Sequence, residues 1–171
     1  MSISVYGLTV PVFTAALANM RTWLDKPGAE HEAELMQARL APDMRPLPAQ
    51  YQMASDTAKN ALARLTGTQA PAMPDTEASF ADLRERCDRT IAYIGEIDPA
   101  ALADSAARPV EMRFPNGTGY HWTGAEYLTG FALPNFFFHA TTAYAILRAN
   151  GIVLGKPDFL QHLGPPTPMP G

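Results

Sequence analysis

The run TGAEYLTGFALPNFFFHATTAYAILRANG, from Thr123 to Gly151, decides how this chain is read. Thr123 with Glu126 three residues later is a capping box, and Gly151 supplies a stop. The spacing predicts one helix to about Asn150, about 40 Å long from the rise per residue. Tyr127 to Leu147 carries no charge and is long enough to cross a bilayer. Thr129, Pro134, Asn135, His139, Thr141 and Thr142 interrupt it, and polar groups at that density are costly in lipid. Glu126 and Arg148 flank the run without the basic cluster expected on a cytoplasmic side. It therefore reads as a buried helix of a soluble domain, with no membrane partner. Pro134 removes the donor opposite Gly130 and predicts a kink. Apolar on nearly every face, the helix should meet several neighbours or line an oligomer interface.

Upstream of it the period changes. Val110, Met112 and Phe114 alternate with Glu111 and Arg113, as in a half-buried strand. Pro115-Asn116-Gly117 gives a turn, and Tyr120, His121 and Trp122 begin the return strand. His121 has the opposite parity to its neighbours and reads as exposed. Before this hairpin the apolar stripe Phe80, Leu83, Cys87, Ile91, Ile94 and Ile97 marks a third helix, started by a capping box of Ser79 and Asp82. Cys87 lies on the stripe and reads as a packed thiol. A second helix spans about Pro48 to Thr66, with Gly67 as its stop and an alanine-rich face of Tyr51, Ala54, Ala58, Ala61, Leu62 and Leu65.

The first helix is predicted near residues 5–26 from Val5, Leu8, Val12, Phe13, Leu17, Met20 and Leu24, with Pro11 in its opening turns or kinking it. This uncharged start, with Ala16-Leu17-Ala18, imitates a secretory leader. Arg21, however, follows the apolar run instead of preceding it, so a structural helix is the better reading. Residues 29–40 give a weaker helical segment around Leu35, Met36 and Leu40, and the prolines of 41–48 an extended connection. Residues 1–163 are read as one domain, and residues 164–171 as a proline-rich tail, extended and strapped across a neighbour.

Composition sets outer bounds. A length of 171 residues fits a single domain that needs no metal or disulfide to hold its core. A net charge of -4 without a Lys/Arg cluster argues against nucleic acid as a partner. A lone cysteine fits a reducing compartment. Phosphate-binding glycine loops, zinc-protease helices and nucleophile elbows are absent from the sequence.

One constellation carries chemistry. Asn135, His139 and Thr142, at spacings of four and three, share a helix face. Buried polar groups need partners, and Gln52 and Asp56, one turn apart on the second helix, are candidates to meet them. The residues alone allow a satisfied histidine holding two helices in register, or a metal ligand or acid–base group in a cleft. The absence of a second ligand at metal spacing favours the first.

Four runs carry a resemblance: Ala38–Met44, Pro134–Tyr144, Ile146–Gly151 and Leu154–Leu160. They are similar to a bacterial domain-of-unknown-function family grouped with the DinB/YfiT-like superfamily of metal-dependent four-helix bundles. The resemblance implies an all-α, up-down-down-up four-helix bundle with a short β-hairpin before the last helix, in a dimeric cytoplasmic protein. In that superfamily three histidines hold a divalent metal: one from the second helix and an i, i+4 pair from the last. Some members use the metal to activate a low-molecular-weight thiol for transfer or isomerisation. Here His139 matches the first of the pair, Ala143 stands at i+4, and Gln52 or Asp56 stands where the second-helix ligand is wanted.

The expected function is a small-molecule-binding or homodimeric scaffold module that uses an inter-helix cleft near His139. Its cleft candidates are His139, Asn135, Thr142, Gln52, Asp56 and Tyr144, with no cofactor and no bound metal expected. The alternative is a metal-dependent enzyme of thiol-transfer or isomerase type, holding zinc or nickel with a reduced ligand set. Whether any reaction is catalysed stays open between the two.

Overall fold

A computed structural model describes residues 4–169. The first three residues of the uncharged start, and Pro170 and Gly171 of the tail, lie outside the described residues. Four long helical units carry the fold. Helix α1 is Val5–Trp23, capped by Ser4, whose hydroxyl accepts from the Gly7 N–H at 3.0 Å. It runs through Pro11, which is exposed, so the carbonyl that loses its donor is close to water. Helix α2 is Leu47–Thr66, with Pro48 in its first turn and Gly67 at φ 73° closing it. Helix α3 is Phe80–Gly95, capped by Ser79. Only half of its expected capping box forms, because the Asp82 carboxylate accepts from the Ala78 N–H, not from that of Ser79.

The last unit, α4, is continuous but not uniform. It comprises Gly124–Tyr127, a π-helical turn Leu128–Ala132, and Leu133–Ala149. The Thr123–Glu126 capping box forms as predicted. In place of a simple proline kink, the helix widens just before Pro134, and the Leu133 N–H reaches back five residues to the Leu128 carbonyl. The extra residue accommodates a proline that has no N–H to offer Gly130.

Strands β1 (Pro109–Arg113) and β2 (Gly119–Thr123) form the antiparallel hairpin, with Val110 opposite Trp122 and Glu111 opposite His121. Burial fades toward its tip: Val110 is buried, Met112 half-buried and Phe114 exposed. The hairpin meets the bundle at Gly124, where an added Cβ would lie 1.9 Å from the Ser105 carbonyl oxygen, so only glycine fits. The weak segment near 29–40 is shorter than expected: a turn at Ala29–His31 and a single helical turn at Glu32–Leu35. Leu35 and Met36 anchor it in the core, and the Leu47 N–H then bonds the Ala38 carbonyl at 2.9 Å, turning the chain into α2.

The helices are tied at defined heights. Arg21 pairs with Asp88, and Arg84 with Asp25 and the Leu24 carbonyl, joining α1 to α3. Arg86 of α3, only 2% exposed, donates to Asp56 at 2.8 Å, Glu77 at 2.7 Å, Asp75 at 3.1 Å and the Pro74 carbonyl at 3.3 Å. Gln52 donates to the other oxygen of Glu77 at 2.8 Å. One guanidinium thus fastens the loop between α2 and α3 onto both helices. Burial by itself would raise the Glu77 pKa, but the hydrogen bonds from Arg86 and Gln52 bring it below the ordinary carboxylate value.

The C-terminal strap forms upstream of the proline run. Asp158 to Gln161 crosses α1: Trp23 Nε1 donates to the Asp158 carbonyl at 3.1 Å, Lys26 pairs with the Asp158 carboxylate at 3.1 Å, and Thr22 donates to Gln161. The described part of the tail, Gly164 to Met169, is exposed.

Replacing Arg86 by Met should lower stability by about 3 kcal/mol, because it leaves Glu77 largely buried without its cation. Urea unfolding of the variant at neutral pH measures this. Cys87 is fully buried and its thiol is pushed up to about 12. It should therefore react with a thiol reagent only at the rate of unfolding, and stoichiometric labelling of the native protein within minutes would contradict the packing.

Candidate functional site

The polar side chains of α4 find their partners on one face of α2. His139 is buried, and its Nδ1 lies 2.9 Å from Gln50 Oε1. The Gln50 amide nitrogen donates to the Arg45 carbonyl at 2.9 Å. That carbonyl can only accept, so it fixes which end of the amide faces the ring. Gln50 therefore presents an oxygen, Nδ1 carries the hydrogen, and the lone pair of the neutral imidazole stands on Nε2. Burial lowers the His139 pKa below the ordinary imidazole value, which favours this neutral form. One turn earlier, Asn135 Nδ2 donates to Thr57 Oγ1 at 2.7 Å, and that hydroxyl donates to the Met53 carbonyl at 2.6 Å.

The expected partners of His139 lie elsewhere. Gln52 and Asp56 are engaged by Glu77 and Arg86 on the side of α2 that meets α3, and Lys59 also pairs with Asp56 at 3.1 Å. The reason is angular: two residues along a helix turn the side chain by about 200°, so Gln52 points away from the face that Gln50 and Thr57 share. Thr142 does not complete the constellation either; its hydroxyl bonds its own helix at the Phe138 carbonyl, 2.7 Å away. Tyr144 packs edge-on against Trp23 and Phe159, with ring centroids 5.7 Å apart in both cases. Gln50 is the residue that sequence reasoning missed. Its spacing of seven from Thr57 was the available signal, since seven residues return to nearly the same face.

A cleft is expected beside His139, and two hollows border this part of α4. One hollow, 460 Å³, is lined by Phe137, Phe138 and Thr142 together with Leu40, Thr141 and Ala145. A second, 390 Å³, lies between α1, Phe137 and the C-terminal strap. His139 and Gln50 line neither.

The donor set can be compared with a three-histidine metal centre. His139 offers one lone pair, Gln50 is an amide committed to two bonds, and the i+4 position is the buried methyl of Ala143. The remaining histidines are remote from it: His31 beside Glu30, His121 beside Glu111, and His162 against Asn19. Among the described residues, no three of His, Cys, Asp and Glu gather as a metal site. The side chains present do not fit the three-histidine arrangement.

His139→Gln should keep the fold and cost about 1 to 3 kcal/mol through imperfect pairing, measured by thermal or urea unfolding. The unfolded chain takes up a proton at the ordinary imidazole value of 6.5, whereas the folded chain does so only at lower pH. The contribution of His139 is therefore complete above that value and is lost as pH falls from it toward the folded pKa. The stability gap between wild type and variant should narrow over that window. A gap independent of pH would show that the ring is not held neutral by the fold.

Residues 5–160 match the model of a family described as Domain of unknown function (DUF1993). A crystal structure of a DinB family member protein from Shewanella denitrificans is 38% identical in sequence and superposes with a TM-score of 0.85 over 96% of this chain and 96% of that one. No curated protein matches the chain. With the family model spanning almost its whole length, and a DinB family member so similar in sequence and structure, the chain belongs to the DUF1993 family within the DinB-like superfamily.

Proposed function

We propose that this protein is a homodimeric, small-molecule-binding module of the DinB-like type, in which the His139 region serves as a structural crosspiece between α2 and α4. The observation that carries this reading is the Gln50–His139 bond, anchored in turn on the Arg45 carbonyl. It gives Nδ1 a hydrogen and a fixed partner and leaves Nε2 as the one ring nitrogen with a lone pair, with no second donor gathered beside it among the described residues. No reaction is assigned.

The helix pairings support an up-down-down-up order. Along α2 and α4 the contacts run in opposite senses: Gln50 meets His139, Thr57 meets Asn135, and Arg64 meets Tyr127. Along α1 and α3 they also oppose, with Arg21 at Asp88 and Asp25 at Arg84. The long return loop brings Glu77, just before α3, back beside Gln52 near the start of α2, as a parallel middle pair requires. We read residues 1–163 as one domain followed by the tail 164–171. The relative from Shewanella denitrificans supports a bacterial setting. Among the described residues, no helix is long and apolar enough to cross a membrane, and the buried thiol fits the cytoplasm.

A second copy is the occupant we assign to the outer face of α4. Leu40 is 47% exposed and Phe138 is 55% exposed, and they share their hollow with Thr141 and Ala145, without a charged side chain. An uncharged apolar patch of this kind on a net-negative protein favours self-association over binding a charged macromolecule.

Two measurements test the reading. Protein purified without an affinity tag should carry no stoichiometric metal by elemental analysis; one zinc or nickel per chain would overturn the crosspiece in favour of a reduced-ligand enzyme. Sedimentation should give a dimer that Phe138→Glu converts to a monomer with an unchanged helical spectrum, and a wild-type monomer would remove the dimer.

A further inference from the structure

The 390 Å³ hollow has three walls of different origin. Helix α1 contributes Gly7, Pro11, Val12, Ala15 and Ala16, whose short side chains leave the helix surface low. Helix α4 contributes Phe137, and the C-terminal strap contributes Phe159 and Leu160. None of the lining residues bears a permanent charge, and α1 has none before Arg21. The volume falls in the range of ligand pockets, roughly 300 to 1,000 Å³.

The third wall is fixed in place. Phe159 stacks on Trp23 with centroids 5.4 Å apart, and the strap is bonded to Asn19, Trp23 and Lys26 of α1 and the turn after it. Buried Asn19 does something more specific. Its amide nitrogen donates to the Phe159 carbonyl at 2.8 Å and lies 3.0 Å from Nδ1 of His162, which also lines the hollow. The carbonyl accepts only, so the amide group on this side is the donor. His162 Nδ1 must then accept, and the ring keeps its hydrogen on Nε2. An otherwise apolar hollow thus carries one exposed imidazole whose Nδ1 accepts from Asn19 and whose Nε2 bears the hydrogen, with no carboxylate among its lining residues.

We propose that this hollow binds an apolar small molecule ending in a hydrogen-bond acceptor, a carboxylate or a carbonyl, which meets His162. This rests on the small-molecule-binding reading above and names its ligand class. An ammonium end would face a donor with no anion to balance it, and a polyol would lose its hydration against the aliphatic walls. The apolar body replaces water along Val12, Phe137 and Leu160.

The full chain is titrated with octanoate, 2-octanone and octylammonium, by calorimetry and by the fluorescence of Trp23, which reports on Phe159. Octanoate and 2-octanone should bind saturably, and octylammonium roughly tenfold more weakly or less. Gly7→Leu and Ala15→Leu, which fill opposite stretches of the α1 wall, should each reduce octanoate affinity by roughly tenfold while the melting temperature holds. His162→Phe should keep the wall and abolish the preference for octanoate over octylammonium. Failure of octanoate and 2-octanone to bind overturns the proposal, as does binding undiminished in both filled variants. Binding that survives filling but is lost in Phe138→Glu would place the ligand on the outer face of α4; the hollow would then be excluded while the small-molecule reading stood. Metal content and association state judge the rest of that reading separately.

Discussion

Helix α2 is enclosed on almost every side, and nearly every polar side chain it turns inward finds a partner within the protein, the buried Ser55 hydroxyl being the exception. Gln50, Thr57 and Lys59 are all buried, and Asp56 and Gln52 are half-buried. Each is satisfied by a different neighbour: the Arg45 carbonyl and His139, Asn135, Asp56, Arg86, and Glu77. An orphaned group of this type costs about 1 to 3 kcal/mol, comparable to a sizeable share of a domain's net stability. A slip of α4 along α2 by one turn, about 5.4 Å, would orphan several at once. The apolar contacts of α2, rich in alanine, are far less particular about height. Polar satisfaction, not hydrophobic burial, therefore fixes the register of the bundle.

The π-helical turn belongs to the same constraint. Tyr127 and His139 are separated by twelve positions, which on a regular helix would place them about 120° apart. The one-residue insertion at Leu128–Ala132 removes about 100° of that offset. Both then face α2, Tyr127 accepting from Arg64 at 3.1 Å and His139 meeting Gln50. Pro134 makes the insertion inexpensive, since the regular bond to Gly130 cannot form anyway. The distortion is what allows both halves of α4 to use the same partner helix.

This explains what could be read from the sequence. The four helical units, the hairpin and the caps at Ser79 and Thr123 follow from local rules, namely periodicity, capping residues, glycine and proline, and they emerge with small shifts at their ends. The polar character of Asn135 and His139 against α2 was equally legible. Which residue of α2 receives them was not, because Gln50 and Gln52 are chemically identical and only the packing of α3 decides which side each takes. Arg86 was invisible for a related reason. In a segment reading Arg84-Glu85-Arg86, nothing local separates the guanidinium that the loop before α3 will bury from the one left half-exposed. The tail was misjudged through composition: prolines suggested the strap, but Asp158 and Phe159, with hydrogen-bonding backbone and an aromatic ring, make the contacts.

The chemistry available to α4 follows from how its imidazole is held. A metal centre built on protein ligands alone needs about three donors aimed at one point, each with a free lone pair. Around His139 one nitrogen is protonated toward Gln50, the amide is saturated by Arg45, and the next helical turn offers only the methyl of Ala143. Changing either the α2 position or Ala143 alone would not restore the set, because the other would still lack a free donor. The same helix, one face further round, borders open apolar space through Phe137, where the strap supplies both a wall and an N–H donor. Selective recognition needs few polar groups if they are held rigidly in an apolar setting. His162, though exposed, lines such a space, and His139 lines neither hollow.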